Sequence, residues 1–371
     1  MVDSYLFKKN RMRKLCFFVF LCSVILFVAC KSKQATSDIS SLTPVGPAFV
    51  ADSAYAYCQA QCDFGPRTMN SDAHEQCAQW IVGKFEQFGC KVTTQQTTLT
   101  GYDGTALKST NIIACYNPTV SQRDGEVGND NPSLGEGERV GSGRILLCAH
   151  WDSRPWADND PDSANWHKPV MAANDGASGV AVMLEIARLL QKADSLKVGV
   201  DFVCFDAEDW GTPQWDNTTL VNGNPWALGA QYWAQQYAAN TPLPTGEGQG
   251  ERLYRFGILL DMVGGQGSRF YQEGVSKQYA PDIVKKVWTA AKVVGYGSMF
   301  PDDVNGGVTD DHVPVNEVAK IPCIDIIPYY PDCRQSSFGP TWHTLDDDMQ
   351  HIDKNTLQAV GQTVIQVLFS E

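Results

Sequence analysis

Residues 201–210 read DFVCFDAEDW, from Asp201 to Trp210. The first half is apolar enough for a buried strand, and the run then stops at three carboxylates, Asp206, Glu208 and Asp209. In an open α/β sheet, ligands bind where the strands run out at their carboxyl ends. Two adjacent unpaired carboxylates repel, so Glu208 beside Asp209 suggests a division of labour in which one holds a metal and the other moves a proton. A solvated acidic loop after a strand fits the same ten residues, and the stretch alone leaves both readings open.

Working outward, apolar strand-like runs alternate with helical ones from Arg144 onward. Strands are expected at 144–149, 200–205, 256–262 and 323–327, and helices at 178–193, 227–237, 281–294 and 354–369. Upstream, helical spacing marks 51–61 and a longer run that Ser71-Asp72 caps and Gly89 ends. Strands at 91–99 and 110–116, joined by the Gly101 to Gly104 turn, predict an antiparallel pair. The pattern predicts an α/β fold: a single domain with a central mixed, mostly parallel twisted sheet covered by helices on both faces. Residues 117–143 and 241–250 lack periodicity and read as loops.

The amino terminus reads as a processing segment. Lys8, Lys9, Arg11, Arg13 and Lys14 precede an apolar run from Leu15 to Ala29, short for a membrane span and right for a signal peptide. Phe27-Val28-Ala29-Cys30 is similar to the lipobox of bacterial lipoproteins, although Phe27 stands where Leu is usual; plain secretion is the alternative. The expected organisation is a signal peptide over 1–29, a flexible tether over 30–47 and a catalytic domain over 48–371. The implied location is the bacterial periplasm or cell envelope, with a lipid anchor at Cys30 as the only membrane contact and a monomeric chain. Without residues 1–29 the chain carries 24 basic against 41 acidic residues, a charge of −17, which argues against a nucleic-acid partner. Nine cysteines follow Cys30. Cys115, Cys148, Cys204 and Cys323 lie in apolar runs and read as core residues, whereas Cys58, Cys62, Cys77, Cys90 and Cys333 are free to bridge in an exported protein.

Four expected strands end in, or carry, side chains that bind metals or move protons. His150-Trp151-Asp152 follows the first, Glu208-Asp209 the second and Asp261 the third; Asp325 lies within the last. Asn174-Asp175-Gly176 stands directly before a long apolar helix, Asp310-Asp311-His312 before the last strand, and Trp342-His343-Thr344 after it. This ordered set resembles the zinc-dependent M28 metallopeptidase clan over most of the chain from Phe64 onward. His150-Trp151-Asp152-Ser153-Arg154, Asp310-Asp311 before His312, and Trp342-His343-Thr344-Leu345-Asp346-Asp347 are similar to its glutaminyl cyclase branch.

The resemblance implies that Asp175, Asp209 and His343 bind one zinc ion. It gives Glu208 the role of proton carrier, places Asp261 and Asp311 in the hydrogen-bond network around it, and makes Trp342 a wall of the substrate pocket. Trp210, Trp215 and Trp151 are candidate companions in that pocket, and Asp325 is assigned to substrate or loop hydrogen bonding. Two carboxylates and an imidazole leave a fourth zinc position open, as catalysis requires. The implied reaction closes an amino-terminal glutamine of a peptide or protein into pyroglutamate. Asp209 departs from the family's more frequent Glu, and Asp325 from a histidine in animal relatives. The main alternative is a two-metal aminopeptidase in which His150 and Asp261 hold a second ion, Asp175 bridges, and Glu208 activates water. A lipid-anchored binding domain without enzymatic activity is a third reading. His74, His167 and His351 are expected to be surface or scaffold, and His312 to support the site from behind.

Overall fold

The computed structural model describes residues 42–117, 143–193, 196–216, 223–241 and 253–371. The signal segment, Cys30 and most of the 117–143 loop therefore lie outside the described residues. All elements belong to one compact unit, Thr43–Glu371. Its first residues, expected as the end of the tether, are tied to the carboxyl-terminal helix: Val45 N donates to Gln366 Oε1, and Gln362 Nε2 donates to Pro47 O.

Helices α1 (Ala51–Cys62) and α2 (Asp72–Gln87) come first. Ser71 caps α2 by accepting the N–H of His74. Strands β1 (Lys91–Thr100) and β2 (Ala106–Tyr116) pair antiparallel. The sequence placed the start of β2 at Thr110. Pairing with β1 carries the ladder back to Ala106 instead.

The alternating part runs β3 (Arg144–His150), α3 (Ala177–Leu190), β4 (Val200–Phe205), α4 (Leu228–Asn240), β5 (Tyr254–Leu260), α5 (Gly274–Tyr279), α6 (Pro281–Val293), α7 (His312–Glu317), β6 (Cys323–Ile326) and α8 (Lys354–Phe369). Helices α5 and α7 were not foreseen, since six residues hold too little periodicity to read. The six described strands form one sheet in the order β1-β2-β4-β3-β5-β6, with β4, β3, β5 and β6 parallel and β1 and β2 antiparallel.

Both faces of the parallel strands are covered, which is why those strands read as continuous apolar runs. Ile145, Leu147 and Ala149 of β3 join the larger core with residues of α1, α3, α6 and α8. Leu146 and Cys148, pointing the other way, join a second core with Ala230 and Trp233 of α4 and Val315 of α7. All nine described cysteines are free thiols, so none of the five candidates for bridging is paired. Among the described residues, no helix is long and apolar enough to cross a membrane.

β3 lies between β4 and β5, so the connection from β3 to β4 runs one way across the sheet and the next, from β4 past β3 to β5, runs the other. That reversal opens a crevice at the carboxyl ends of β3, β4 and β5. His150, Glu208, Asp209 and Asp261 stand there.

Candidate active site

The backbone turns sharply where the strands end. Ala172, Ala207, Met262 and His343 adopt left-handed conformations, with φ of 57°, 53°, 49° and 54°. This region is uncommon for residues other than glycine and tends to persist where surrounding structure enforces it. Three of the four precede or follow a site carboxylate within three positions, and the fourth is His343 itself. Gly176, at φ 111°, leads into α3, and a Cβ there would lie 2.7 Å from Asp152 O.

Two buried carboxylates hold these turns. Asp152 accepts the N–H groups of Glu208 and Asp209 at 3.1 and 3.2 Å, and Asp347 accepts those of Asn174 and Asp175 at 2.7 and 3.0 Å. Each clasps two consecutive backbone donors and so fixes where the next carboxylate points. Arg67, fully buried, donates to the carbonyls of Trp151, Met171 and Ala172 and ties the first turn to the second.

Asp175, Asp209 and His343 converge as expected. His343 Nε2 lies 3.3 Å from Asp209 Oδ1 and 3.7 Å from Asp175 Oδ2, and all three residues are buried. Donors on a tetrahedral zinc with bonds of about 2.0–2.1 Å stand about 3.3 Å apart, so the donor set and its spacing both fit. Asp209 Oδ2 is buried with no hydrogen-bond partner, which a cation would satisfy. The other imidazole nitrogen, Nδ1, lies 3.3 Å from Asp158 Oδ1. Asp158 in turn accepts two 2.8 Å hydrogen bonds from Arg154, whose other arm donates to Asp209 at 3.2 Å. This carboxylate–histidine pairing orients a metal ligand and fixes its tautomer. Burial opposes ionisation of Asp158, but the Arg154 hydrogen bonds, with His343 close by, outweigh it and hold the carboxyl below its usual range.

A second group shares Asp175. His150 Nε2 lies 3.0 Å from Asp175 Oδ1 and 3.3 Å from Asp261 Oδ1, the set expected for a two-metal site.

Glu208 is buried and feels a charge from each group, Asp209 of the first and His150 of the second. Burial, then the charges of Asp209, Asp310 and Asp311, hold its carboxyl well above the usual range against the opposing pull of His150. Burial and the Asp310 charge push Asp261 up to about 7. Asp310 and Asp311 are both buried, and both raise Glu208.

Asp325 is a correction. It is fully buried in β6, its backbone N–H donates to Ser276 Oγ, and its carboxylate sits among Asp310 and His312 with neither oxygen hydrogen-bonded. Enclosure behind the acid cluster makes it a network group, not a substrate contact. His312 joins it there, 3.2 Å from Glu273. His74 is buried scaffold, 2.8 Å from Asp206 and stacked on Trp151. Trp151 itself is fully enclosed and so unavailable to substrate. Trp342, half-buried, stacks on His343 with ring centroids 3.7 Å apart. Trp210 and Trp215 are half-buried and both pack edge-on against Trp156. Trp226, which the sequence did not single out, lies parallel to His343 at 6.1 Å.

A mostly parallel sheet carrying buried carboxylate–imidazole groups at its switch point defines a metal-centre enzyme of the α/β class. The chain belongs to peptidase family M28, whose model matches residues 134–368. It is similar to the solved glutaminyl cyclase of Bacteroides thetaiotaomicron, at 48% identity with a TM-score of 0.75, covering 88% of this chain and 100% of that one. A solved leucine aminopeptidase precursor from Bacteroides thetaiotaomicron is 47% identical with a TM-score of 0.74, covering 89% and 100%. Aminopeptidase YwaD of Bacillus subtilis is 28% identical over 228 residues, 61% of this chain. The chain spans only 40% of that curated relative's length.

Proposed function

We propose that this protein is a glutaminyl-peptide cyclotransferase, converting the amino-terminal glutamine of peptides or proteins to pyroglutamate with release of ammonia. One observation carries the reading: Asp175, Asp209 and His343 meet at zinc-ligand spacing beside Glu208, in a chain 48% identical to a bacterial glutaminyl cyclase.

Asp175, Asp209 and His343 would hold a single zinc ion, which would supply Lewis acidity toward the glutamine side-chain carbonyl. Glu208 takes a proton from the substrate's own α-amine, whose nitrogen forms a bond to the side-chain carbonyl carbon. The bond from that carbon to the amide nitrogen then breaks, and Glu208 returns the proton to the departing ammonia. Burial and the neighbouring acids Asp209, Asp310 and Asp311 raise the affinity of Glu208 for the proton in transit. The nucleophile is part of the substrate, so the protein's task is positioning and exclusion of water. Trp342, against His343, is the pocket wall for the glutamine side chain.

A two-metal aminopeptidase is the second reading, favoured by the His150–Asp175–Asp261 group. Gln-peptides and Leu-arylamides offered to the purified protein separate the two. The expected result is ammonia and pyroglutamate from the first, one zinc per chain, and a loss of at least about 100-fold in kcat for Glu208→Gln. Release of free leucine with two metals per chain would overturn the cyclase reading. Export and anchoring through Cys30 are part of the proposal and are checked by loss of lipid labelling in Cys30→Ala.

A further inference from the structure

Six of the ten tryptophans lie along one continuous aromatic ridge that starts at the candidate metal centre. Trp342 and Trp226 flank His343. Arg154 links Trp226 to Trp156, its guanidinium carbon 4.8 Å from the first ring and 5.4 Å from the second. From Trp156 the ridge spreads to Tyr102 at 5.5 Å, Trp210 at 5.2 Å and Trp215 at 6.2 Å, and ends at Trp166, parallel to Trp215 at 6.1 Å. Four separate segments supply these rings, including the β1–β2 turn, where a Cβ on Gly101 would come within 2.6 Å of Trp210.

The outer rings are only half-buried. Indole is costly to leave wet in such number, and aromatic faces bind apolar, aromatic and cationic groups. The ridge already holds one guanidinium, Arg154, between two indoles. Around its outer end stand carboxylates, Asp103 at the hairpin turn and Asp160 and Asp162 before Trp166, on a chain of net charge −13. The contacts from His343 through Trp226 and Arg154 put Trp156 at most about 16 Å away, a span that about five extended residues cover. A side-chain amide seated beside Glu208 leaves only the following residues of the peptide to reach it.

Building on the cyclase reading, we infer that the Trp156–Trp210–Trp215–Trp166 ridge binds the third to fifth residues of the substrate peptide and selects aromatic and basic side chains there. The enzyme thereby distinguishes peptides beyond their amino-terminal glutamine.

The test is a kcat/KM series on the intact enzyme with Gln-Ala-amide and with Gln-Ala-X-X-amide, where X is Phe, Arg, Ala or Glu. The Phe and Arg peptides should exceed the Ala peptide about 10-fold, and the Glu peptide should fall below it. In Trp166→Ala and Trp210→Ala the Phe-to-Ala ratio should collapse toward one, a comparison made within each variant and so insensitive to its overall activity. Equal kcat/KM across the wild-type series overturns the ridge while leaving the cyclase reading intact. No pyroglutamate from any Gln-peptide overturns the cyclase reading on which the ridge depends. A wild-type dimer in sedimentation that Trp166→Ala dissociates assigns the ridge to contact between copies and also overturns the proposal.

Discussion

Glu208 and Asp209 are neighbours that meet different partners. Asp209 is engaged by Arg154 and faces His343, whereas Glu208 is held above the carboxylate range by burial and neighbouring acids. Burial raises both carboxyls, Glu208 further, and on the proposed reading their different partners make Asp209 the ligand and Glu208 the proton carrier. The imidazole ligand depends on the residue behind it. Asp158→Asn removes the carboxylate facing His343 Nδ1 and should weaken metal affinity about 10–100-fold, measured by competition with a chelating dye. An unchanged affinity would remove Asp158 from the metal centre's support. Residues at strand ends were legible as an ordered set, because His150, Glu208-Asp209 and Asp261 each follow an apolar run, although one such run alone also fits a solvated loop. Asp158, Asp152 and Asp347 were not legible as clasps. Their work is to accept donors from turns distant in sequence, and a lone aspartate carries no mark of which N–H groups it will meet. Withdrawing Asp325 and Trp151 from the pocket likewise required knowing which side chains are enclosed.

At the scale of elements, the long helices and the parallel strands followed from periodicity, because burial on one stripe or on both faces leaves a repeated apolar pattern. The short helix α5 rests instead on a single side chain. Glu273 accepts the N–H groups of Val275, Ser276 and Val308 and the Ser276 hydroxyl, and faces His312. Burial raises its pKa, but the His312 hydrogen bond and charge, with those from Ser276, lower it overall from 4.5 to about 2. The folded state therefore holds this proton less tightly than the unfolded one. Its contribution to stability is complete above about pH 4.5 and is lost as the pH falls toward 2. Urea midpoints followed from pH 5.5 to 2.5 should fall more steeply for the wild type than for Glu273→Gln. Parallel pH profiles would show that Glu273 contributes nothing to acid sensitivity.

Across the whole molecule, the carboxyl ends of three strands bring Asp175, Asp209, Glu208, Asp261, Asp310, Asp311 and Asp325 into one buried region. So many acids are tolerated only with protons or a cation among them. A ligand bound far above its dissociation constant adds several kcal/mol to folding, so removing the metal with a chelator should lower Tm by about 10 °C, restored by one equivalent of zinc. A Tm indifferent to chelation would mean that protons alone balance these charges. The three ligands come from the β3–α3 connection, the end of β4 and the segment after β6. During biosynthesis the first two donors emerge long before the third, and the pocket for the ion exists only once the final crossover has packed against the rest. An ion held by all three would therefore be captured late, from the pool of whichever compartment hosts completion of folding.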